Sequence, residues 1–330
     1  MNILIASIGR RVNIVRYFKE SLKRFSQGQV LVTDCSPYAA GMYEADKSFV
    51  VPRVDHSDYL TTILDICKNN DIDLILSLID PELVLLAENK DKFRELGVEV
   101  LVSNYEAVDI SFNKYKTAKF LVENNIPFIK TFKKLDEAIT ELESGNLEFP
   151  LMVKPAKGSS SVGLNKVANL KELKSVVNNG DNYIIQEFIE GEEYGVDVFI
   201  DNTGEVISVF AKKKLSMRAG ETDQAVSIKD EKLFDFATKI AKSLNAYGPL
   251  DIDCFKTEDR GYIFSEINPR FGGGYPLAYE AGANFMELII KMMQGEELKP
   301  QIGDYIENRY LFKYNGLSIV DEDDLINDDL

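Results

Sequence analysis

The stretch Val153-Lys154-Pro155-Ala156-Lys157-Gly158-Ser159-Ser160-Ser161-Val162-Gly163 lies between two strand-like runs. A strand there delivers a lysine, and the small residues that follow leave backbone N–H groups open to an anion such as phosphate. It is not a P-loop, because GxxxxGK[ST] is absent. The plain alternative is a serine–glycine hairpin loop. A second group lies about a hundred residues on, where Asp253 sits in the β-like run 250–255 and Glu266 and Asn268 alternate in Phe264-Ser265-Glu266-Ile267-Asn268-Pro269-Arg270. Period two puts Glu266 and Asn268 on one face, and a hairpin through Glu258–Gly261 returns that strand beside Asp253. Hard oxygen donors on one face suit Mg²⁺, which keeps several waters and takes phosphate oxygens; the alternative is the polar side of an ordinary hairpin. Between the two groups, an apolar strand in Tyr183–Tyr194 ends in a polar turn that can offer backbone groups to a base edge and a carboxylate to hydroxyls.

These residues need elements to hold them. The first hundred residues alternate short β-rich runs (3–6, 30–33, 49–51, 74–78 and 98–102) with amphipathic helical stretches, the pattern of a parallel sheet wrapped by helices. Ligands of such sheets bind at the carboxyl ends of the strands, so Ser7–Arg11, Asp34–Pro37 and Ile79–Glu82 are the loops to watch. A lone Gly9 is not GxGxxG, and a dinucleotide site is not expected. Arg10 and Arg11 can clamp a carboxylate or phosphate, or stand as a solvated pair. Beyond Ser103 the pattern becomes α+β, with helices near 113–124, 136–144, 171–177 and 231–244 set among strands. The expected division is a Rossmann-like α/β unit over 1–110, a two-part α+β unit over 111–187 and 188–300, and a C-terminal segment over 301–330.

Composition narrows the function. Lys and Arg number 38 against 54 Asp and Glu, a formal charge of −16, which opposes nucleic acid and anionic membrane surfaces as partners. Six of the last ten residues are acidic and read as a solvated tail. One histidine, His56, and three cysteines without a CxxC pair argue against zinc sites and histidine-based hydrolysis. The N-terminus lacks the apolar core of a signal peptide and no run is long enough to span a bilayer, so a cytoplasmic setting is expected.

Taken in order, these residues resemble the ATP-grasp superfamily. The loop Gly158–Gly163 resembles that of D-alanine:D-alanine ligases, and Asn268-Pro269-Arg270 resembles carbamoyl phosphate synthetase and biotin carboxylase. The resemblance implies a pre-ATP-grasp domain followed by an ATP-grasp fold. It implies ATP bound by Lys114, Lys154, the loop residues Gly158, Ser159, Ser160, Ser161, Val162 and Gly163, and the adenine strand Gln186, Glu187, Phe188 and Ile189. Glu193 takes the ribose position, and Asp253, Glu266 and Asn268 hold Mg²⁺, or Mn²⁺ in its place. The run Lys212-Lys213-Lys214 occupies the region of a third phosphate lysine, and alternation puts Lys212 and Lys214 on one face.

The function this implies is an ATP-dependent ligase. A carboxylate attacks the γ-phosphorus, an amine attacks the acyl phosphate, and Arg270 stabilises charge where the acyl phosphate forms. Both substrates are small molecules. Arg218 and Glu221 are candidates for a substrate carboxylate and ammonium, with Arg10 as a further substrate residue. Carbamoyl phosphate chemistry on bicarbonate and a catalytically inactive nucleotide-binding protein are the alternatives. Apolar stretches of the first unit serve either as core or as a homodimer face.

Overall fold

The computed structural model describes residues 1–158, 163–177 and 182–326. Three sheets organise the chain. The first is parallel, in the order β3-β2-β1-β4-β5, from β1 (Ile3–Ala6), β2 (Val30–Asp34), β3 (Lys47–Val50), β4 (Leu74–Ser77) and β5 (Glu99–Val100). Strands β1 and β4 are buried along their whole length, as expected of a sheet covered on both faces. Helix α1 (Val12–Phe25) puts Ile14, Val15, Phe18 and Leu22 inward; a fully buried phenylalanine such as Phe18 contributes roughly 1.5–3 kcal/mol. Helices α2 (Tyr59–Asn69), α3 (Asp80–Glu88) and α4 (Lys90–Glu95) complete the unit. The fifth strand is shorter than its apolar run suggests.

The chain runs to one side of β1 through β2 and β3, then to the other through β4 and β5. The crevice at the carboxyl ends of β1 and β4 is therefore the switch point of the sheet, and the loops 7–11 and 77–82 meet there. Glu82 is fully buried in it, with Ser77 Oγ donating to one carboxyl oxygen while the other has no partner. Burial pushes its carboxyl up to about 8, Ser7 opposing the shift and Asp34 adding to it. Below the unfolded value of 4.5 both states carry the proton and burial costs nothing. As pH rises the unfolded chain ionises first, so stability is lost until about pH 8, by roughly 4 kcal/mol at most. Glu82→Gln is expected to flatten the decline in melting temperature between pH 5 and 8; parallel profiles for variant and parent would contradict this.

Helices α5 (Tyr105–Phe112) and α6 (Lys114–Glu123) follow. Asn113 caps α6 by accepting from the N–H groups of Tyr115 and Lys116, which fixes Lys114 as the first helical residue. A second, four-stranded sheet, β6-β9-β7-β8, comprises β6 (Thr131–Phe132), β7 (Leu151–Pro155), β8 (Asn165–Val167) and β9 (Tyr183–Glu187), backed by α7 (Leu135–Glu143) and α8 (Leu170–Val177). Its core, which includes Ala138, Leu151, Val153, Leu173 and Ile185, is separate from the rest of the apolar interior.

The third sheet is the largest. Its main path is β14-β13-β10-β11-β12-β16, with β15 beside β11, from β10 (Glu192–Ile200), β11 (Val206–Arg218), β12 (Glu221–Ile228), β13 (Gly248–Thr257), β14 (Gly261–Asn268), β15 (Gln301–Ile302) and β16 (Tyr310–Phe312). Residues beyond 300 thus belong partly to this sheet. Helices α9 (Glu231–Ser243), α10 (Tyr275–Ala281) and α11 (Phe285–Met293) pack on it, and one continuous core joins it to the first sheet. Tyr17 stacks on Tyr279 across that junction at 3.7 Å between ring centroids. The first and third sheets therefore form one body, against which the second carries its own core.

Candidate active site

A cleft of about 340 Å³ lies between the second and third sheets. Register explains its lining. Met152 pairs with Gln186 and Lys154 with Ile184 across β7 and β9, so Met152, Lys154 and Gln186 share the face toward the cleft while Leu151, Val153 and Ile185 take the core face. Opposite, Asp253 of β13 pairs with Glu266 of β14, and the register shift just after Asp253 leaves Ser265 as well as Glu266 on the lining. Lys114, Gly158, Glu187, Phe188, Ile189 and Glu193 also line the cleft, with Ile129, Leu164, Met217 and Phe255 as apolar wall. Ser159, Ser160, Ser161 and Val162 lie outside the described residues.

The charges at one part of this cleft alternate. Lys114 Nζ lies 3.3 Å from Glu266 Oε1 and also donates to the Gly158 carbonyl. Burial pushes the Lys154 ammonium down to about 8, with Glu266 opposing the shift and Lys114 adding to it. Lys214 does not itself line the cleft, but it bridges Glu193 and Asp253, which do, both at 2.7 Å. Burial works against its charge, but Asp253 and Glu193 outweigh it and hold the ammonium above its ordinary range. Gly195 makes room for this, since a Cβ there would stand 2.9 Å from Lys212 Cε and 3.3 Å from Lys214 Cε.

Several expected residues are placed differently. Lys212 faces the sheet interior at 1% exposure, bound to Asp197 and 3.8 Å from Asp251, and does not line the cleft; its two carboxylate partners draw it away from any phosphate. Arg270 is also turned away: its Nε donates to Asp80 Oδ1 at 2.9 Å and its Nη2 to Asn268 Oδ1 at 3.1 Å. It joins the first unit to the end of β14 and orients the Asn268 amide. Glu187 lines the cleft but accepts from Lys130 N–H and from Arg260, and Gln186 Nε2 donates to Thr131 Oγ1. Arg218 and Glu221 are neighbours only through the backbone of their hairpin. Arg218 pairs with Asp223, whereas Glu221 is contacted by Arg10, Arg11 and Lys313, so it is not open to an ammonium group.

Asp251 was missed by sequence reasoning, although it stands two residues before Asp253 on the same face and pairs with Asn268. Alternation along β13 could have found it. Asp80 and Asp197 carry no such local signal, because their partners Arg270 and Lys212 are distant in sequence. Asp253 and Glu266 are paired across the β13–β14 hairpin, with Asn268 one same-face step beyond Glu266; two carboxylates and an amide are donors of the kind a hard divalent cation takes, although the Asn268 Oδ1 here accepts from Arg270. Burial pushes Asp253 up, Lys214 pulls it down, and Asp251 and Glu193 push it up again, a balance that a cation would reverse.

A parallel α/β unit is thus joined to two mainly antiparallel sheets around a cleft lined by lysines and carboxylates. The chain matches the family models described as "PylC-like, N-terminal domain" over residues 3–101 and "ATP-grasp in the biosynthetic pathway with Ter operon" over residues 180–311. The chain is therefore similar to the ATP-grasp superfamily, on a family model that covers less than half of it and on the relatives that follow. Carbamoyl-phosphate synthase of Methanobrevibacter smithii is 25% identical over 296 residues, 85% of this chain and 78% of that protein. D-alanine–D-alanine ligase of Staphylococcus carnosus is 30% identical over 51% of this chain and 54% of that protein. The chain spans only about a fifth of the length of the carbamoyl phosphate synthase large chains it matches, 20% in the case of Thermoanaerobacter sp.. The fold is shared with biotin carboxylase of Campylobacter jejuni, solved as a complex with β,γ-ATP: TM-score 0.73, 19% identity, covering 94% of this chain and 74% of that one. No helix among the described residues is long and apolar enough to cross a membrane.

Proposed function

We propose that this chain uses ATP to convert a small carboxylic acid to an acyl phosphate, which an amine then captures to form an amide. The observation that carries the reading is the meeting of Lys114 and Lys154 with Asp253 and Glu266 in one cleft whose remaining wall is largely apolar. The apolar wall between the sheets accepts the base, with Gln186, Glu187, Phe188 and Ile189 along it, and Glu193 reaches the ribose. Lys154 and Lys114 bind the β- and γ-phosphates, joined by the loop after Gly158. Asp253, Glu266 and Asn268 would hold Mg²⁺, or Mn²⁺, which when bound neutralises phosphate charge.

The substrate carboxylate oxygen attacks the γ-phosphorus in line and ADP leaves, giving the acyl phosphate. The amine nitrogen then adds to its carbonyl carbon, phosphate leaves, and the nitrogen releases a proton. Lysine positive charge does the work of stabilisation in both steps, and no protein nucleophile is required. Neither a histidine nor a cysteine is among the described residues lining the cleft. Lys214, held by two carboxylates, keeps its charge at the edge of the site. Arg270 acts through Asn268 as a positioning residue. Small-molecule substrates and a cytoplasmic setting fit this chemistry, and Cys35, Cys67 and Cys254 are free thiols.

A second reading, phosphorylation of bicarbonate, is favoured by the similarity to carbamoyl-phosphate synthase. The ligase reading is preferred because the one set of lysines and carboxylates in this cleft suffices for a single acyl phosphate. Incubation with MgATP, a pool of carboxylic acids and hydroxylamine tests the proposal: a hydroxamate of one acid, identified by mass, supports it. ADP release with bicarbonate alone would favour the second reading, and no ADP release with any acid would sink both.

The Lys154 ammonium, held near 8 by burial, gives a pH dependence. Only its charged form binds phosphate, so MgADP affinity is expected to fall roughly tenfold between pH 7 and 9. Lys154→Arg, which cannot lose its proton in this range, should flatten the profile in isothermal titration. A flat profile in the parent would contradict the placement of Lys154 at the phosphates.

A further inference from the structure

Outside the cleft, three cationic side chains from distant parts of the chain converge on one carboxylate. Arg10 Nη2 and Arg11 Nη2 lie 3.2 and 3.3 Å from Glu221 Oε1, and Lys313 Nζ lies 3.3 Å from Glu221 Oε2. Among these four groups, three positive charges face a single negative one. Arg11 and Lys313 are not flexible surface charges, since both side chains are about three-quarters covered. Burial works hardest against the Arg11 charge; Glu221 supports it, while Arg270 and Arg10 oppose it. A surface ion pair would use one cation here.

The carboxylate is carried on a strained support. Glu221 follows Ala219 and Gly220, both at positive φ (51° and 76°), in the two-residue turn between β11 and β12. Positive φ is costly for alanine and concentrates where a segment has a task. Met217, Ala219 and Gly220 of the same hairpin line the nucleotide cleft. The cluster also abuts the end of the acidic face. A Cβ on Gly273 would stand 3.1 Å from Arg11 Nη1 and 3.3 Å from the Glu221 carboxyl, and one on Gly272 would collide with Asp251, the partner of Asn268. Along β13, Asp251 is one same-face step, about 7 Å, past Asp253. A molecule of a few carbons can span from that rung to the arginines.

Resting on the ligase reading above, we infer that Arg10, Arg11 and Lys313 form a subsite for a second anionic group of the acid substrate, and that Glu221 fills it with its own carboxylate until that substrate arrives. The substrate class is then an acid with two negative groups, one phosphorylated beside Glu266 and Asn268, the other held by the three cations. The held group is a carboxylate or a phosphate. Both accept charge-assisted hydrogen bonds in the same arrangement, and both meet competition from Glu221.

Isothermal titration with succinate and, separately, with inorganic phosphate tests the subsite in the full-length chain. Glu221→Gln removes the internal competitor and is expected to bind one of the two probes at least tenfold more tightly than the parent. Tighter succinate identifies a carboxylate subsite, and tighter phosphate a phosphate subsite. Adding Arg10→Ala or Lys313→Ala to Glu221→Gln should erase the gain. No gain with either probe, or a gain that survives both second substitutions, would overturn the assignment. Should Glu221→Gln not fold, the Arg10→Ala variant, changed at a side chain 72% exposed, must bind more weakly than the parent whichever of succinate and phosphate the parent binds more tightly, and equal binding would overturn the assignment in its place. MgADP is titrated in parallel. Its failure to bind the parent would count against the ligase reading alone, since the anion titrations need no nucleotide.

Discussion

Glu266→Ala is expected to lose turnover by on the order of 10³-fold or more while melting within a few degrees of the parent. The Glu266 side chain is one-third exposed and its ion pair with Lys114 spans 3.3 Å, so its removal opens no large cavity. The chemical consequence is larger. The site loses one of two facing carboxylates, and Lys154 loses the charge that opposes its downward shift. Phosphate binding and cation binding are thus weakened together. Hydroxamate formation, with circular dichroism as the folding control, checks this, and a variant with the parent's rate would remove Glu266 from the site.

Lys212→Met is expected to act on stability. Lys212 is 1% exposed, its ammonium is bound to Asp197, and Asp251 lies 3.8 Å away. Asp197 Oδ1 already has no hydrogen-bond partner. Removing the lysine leaves the buried Asp197 without its ion-pair partner and Asp251 with one fewer cation beside it, which costs about 3–5 kcal/mol. For a chain of this size that corresponds to a fall in melting temperature on the order of 10 °C. The deficit has a pH signature. Burial pushes Asp197 up to about 6 even with Lys212 pulling it down and Asp251 adding to the push. Without the lysine its carboxyl takes a proton more readily, so the deficit should shrink as pH falls toward 5. Adding Asp197→Asn should restore part of the stability. Equal melting temperatures for parent and Lys212→Met would show that the lysine does not balance these carboxylates.

The same residue shows where the sequence was legible and where it was not. The central strands of the first sheet stand out because they begin as short apolar runs, and Ile3–Ala6 appears with the bounds its apolar run suggests. The Asp253–Glu266 pairing was also accessible, because period two and a short turn fix the register of a hairpin. In contrast, Lys212-Lys213-Lys214 reads as the region of a phosphate lysine with Lys212 and Lys214 equivalent on one face. Alternation correctly separates Lys213 from its neighbours, but it cannot tell that Asp197 and Asp251 will claim Lys212 while Glu193 and Asp253 claim Lys214. Those partners come from β10 and β13, and only the folded sheet brings them together.

Arg270 and Glu221 make the same point at longer range. Arg270 is close in sequence to the expected metal ligands Glu266 and Asn268, yet its partner Asp80 is 190 positions away and draws the guanidinium toward the first unit. Glu221 is three residues from Arg218 and is instead held by residues 10, 11 and 313. Sequence patterns carry the spacing of residues within an element. They carry little about which of two nearby charges will be satisfied across an interface.

The most direct test of acyl-phosphate chemistry uses the acid substrate labelled with ¹⁸O in its carboxylate. The hydroxamate screen supplies that acid, and the labelled acid is then incubated with MgATP and the acceptor amine. If a carboxylate oxygen attacks the γ-phosphorus and the amine later displaces phosphate, one ¹⁸O must pass from the acid into each inorganic phosphate formed, and mass spectrometry will find it there. Phosphate free of ¹⁸O, formed in step with amide product, would show that the carboxylate is never phosphorylated and would contradict the proposed reaction.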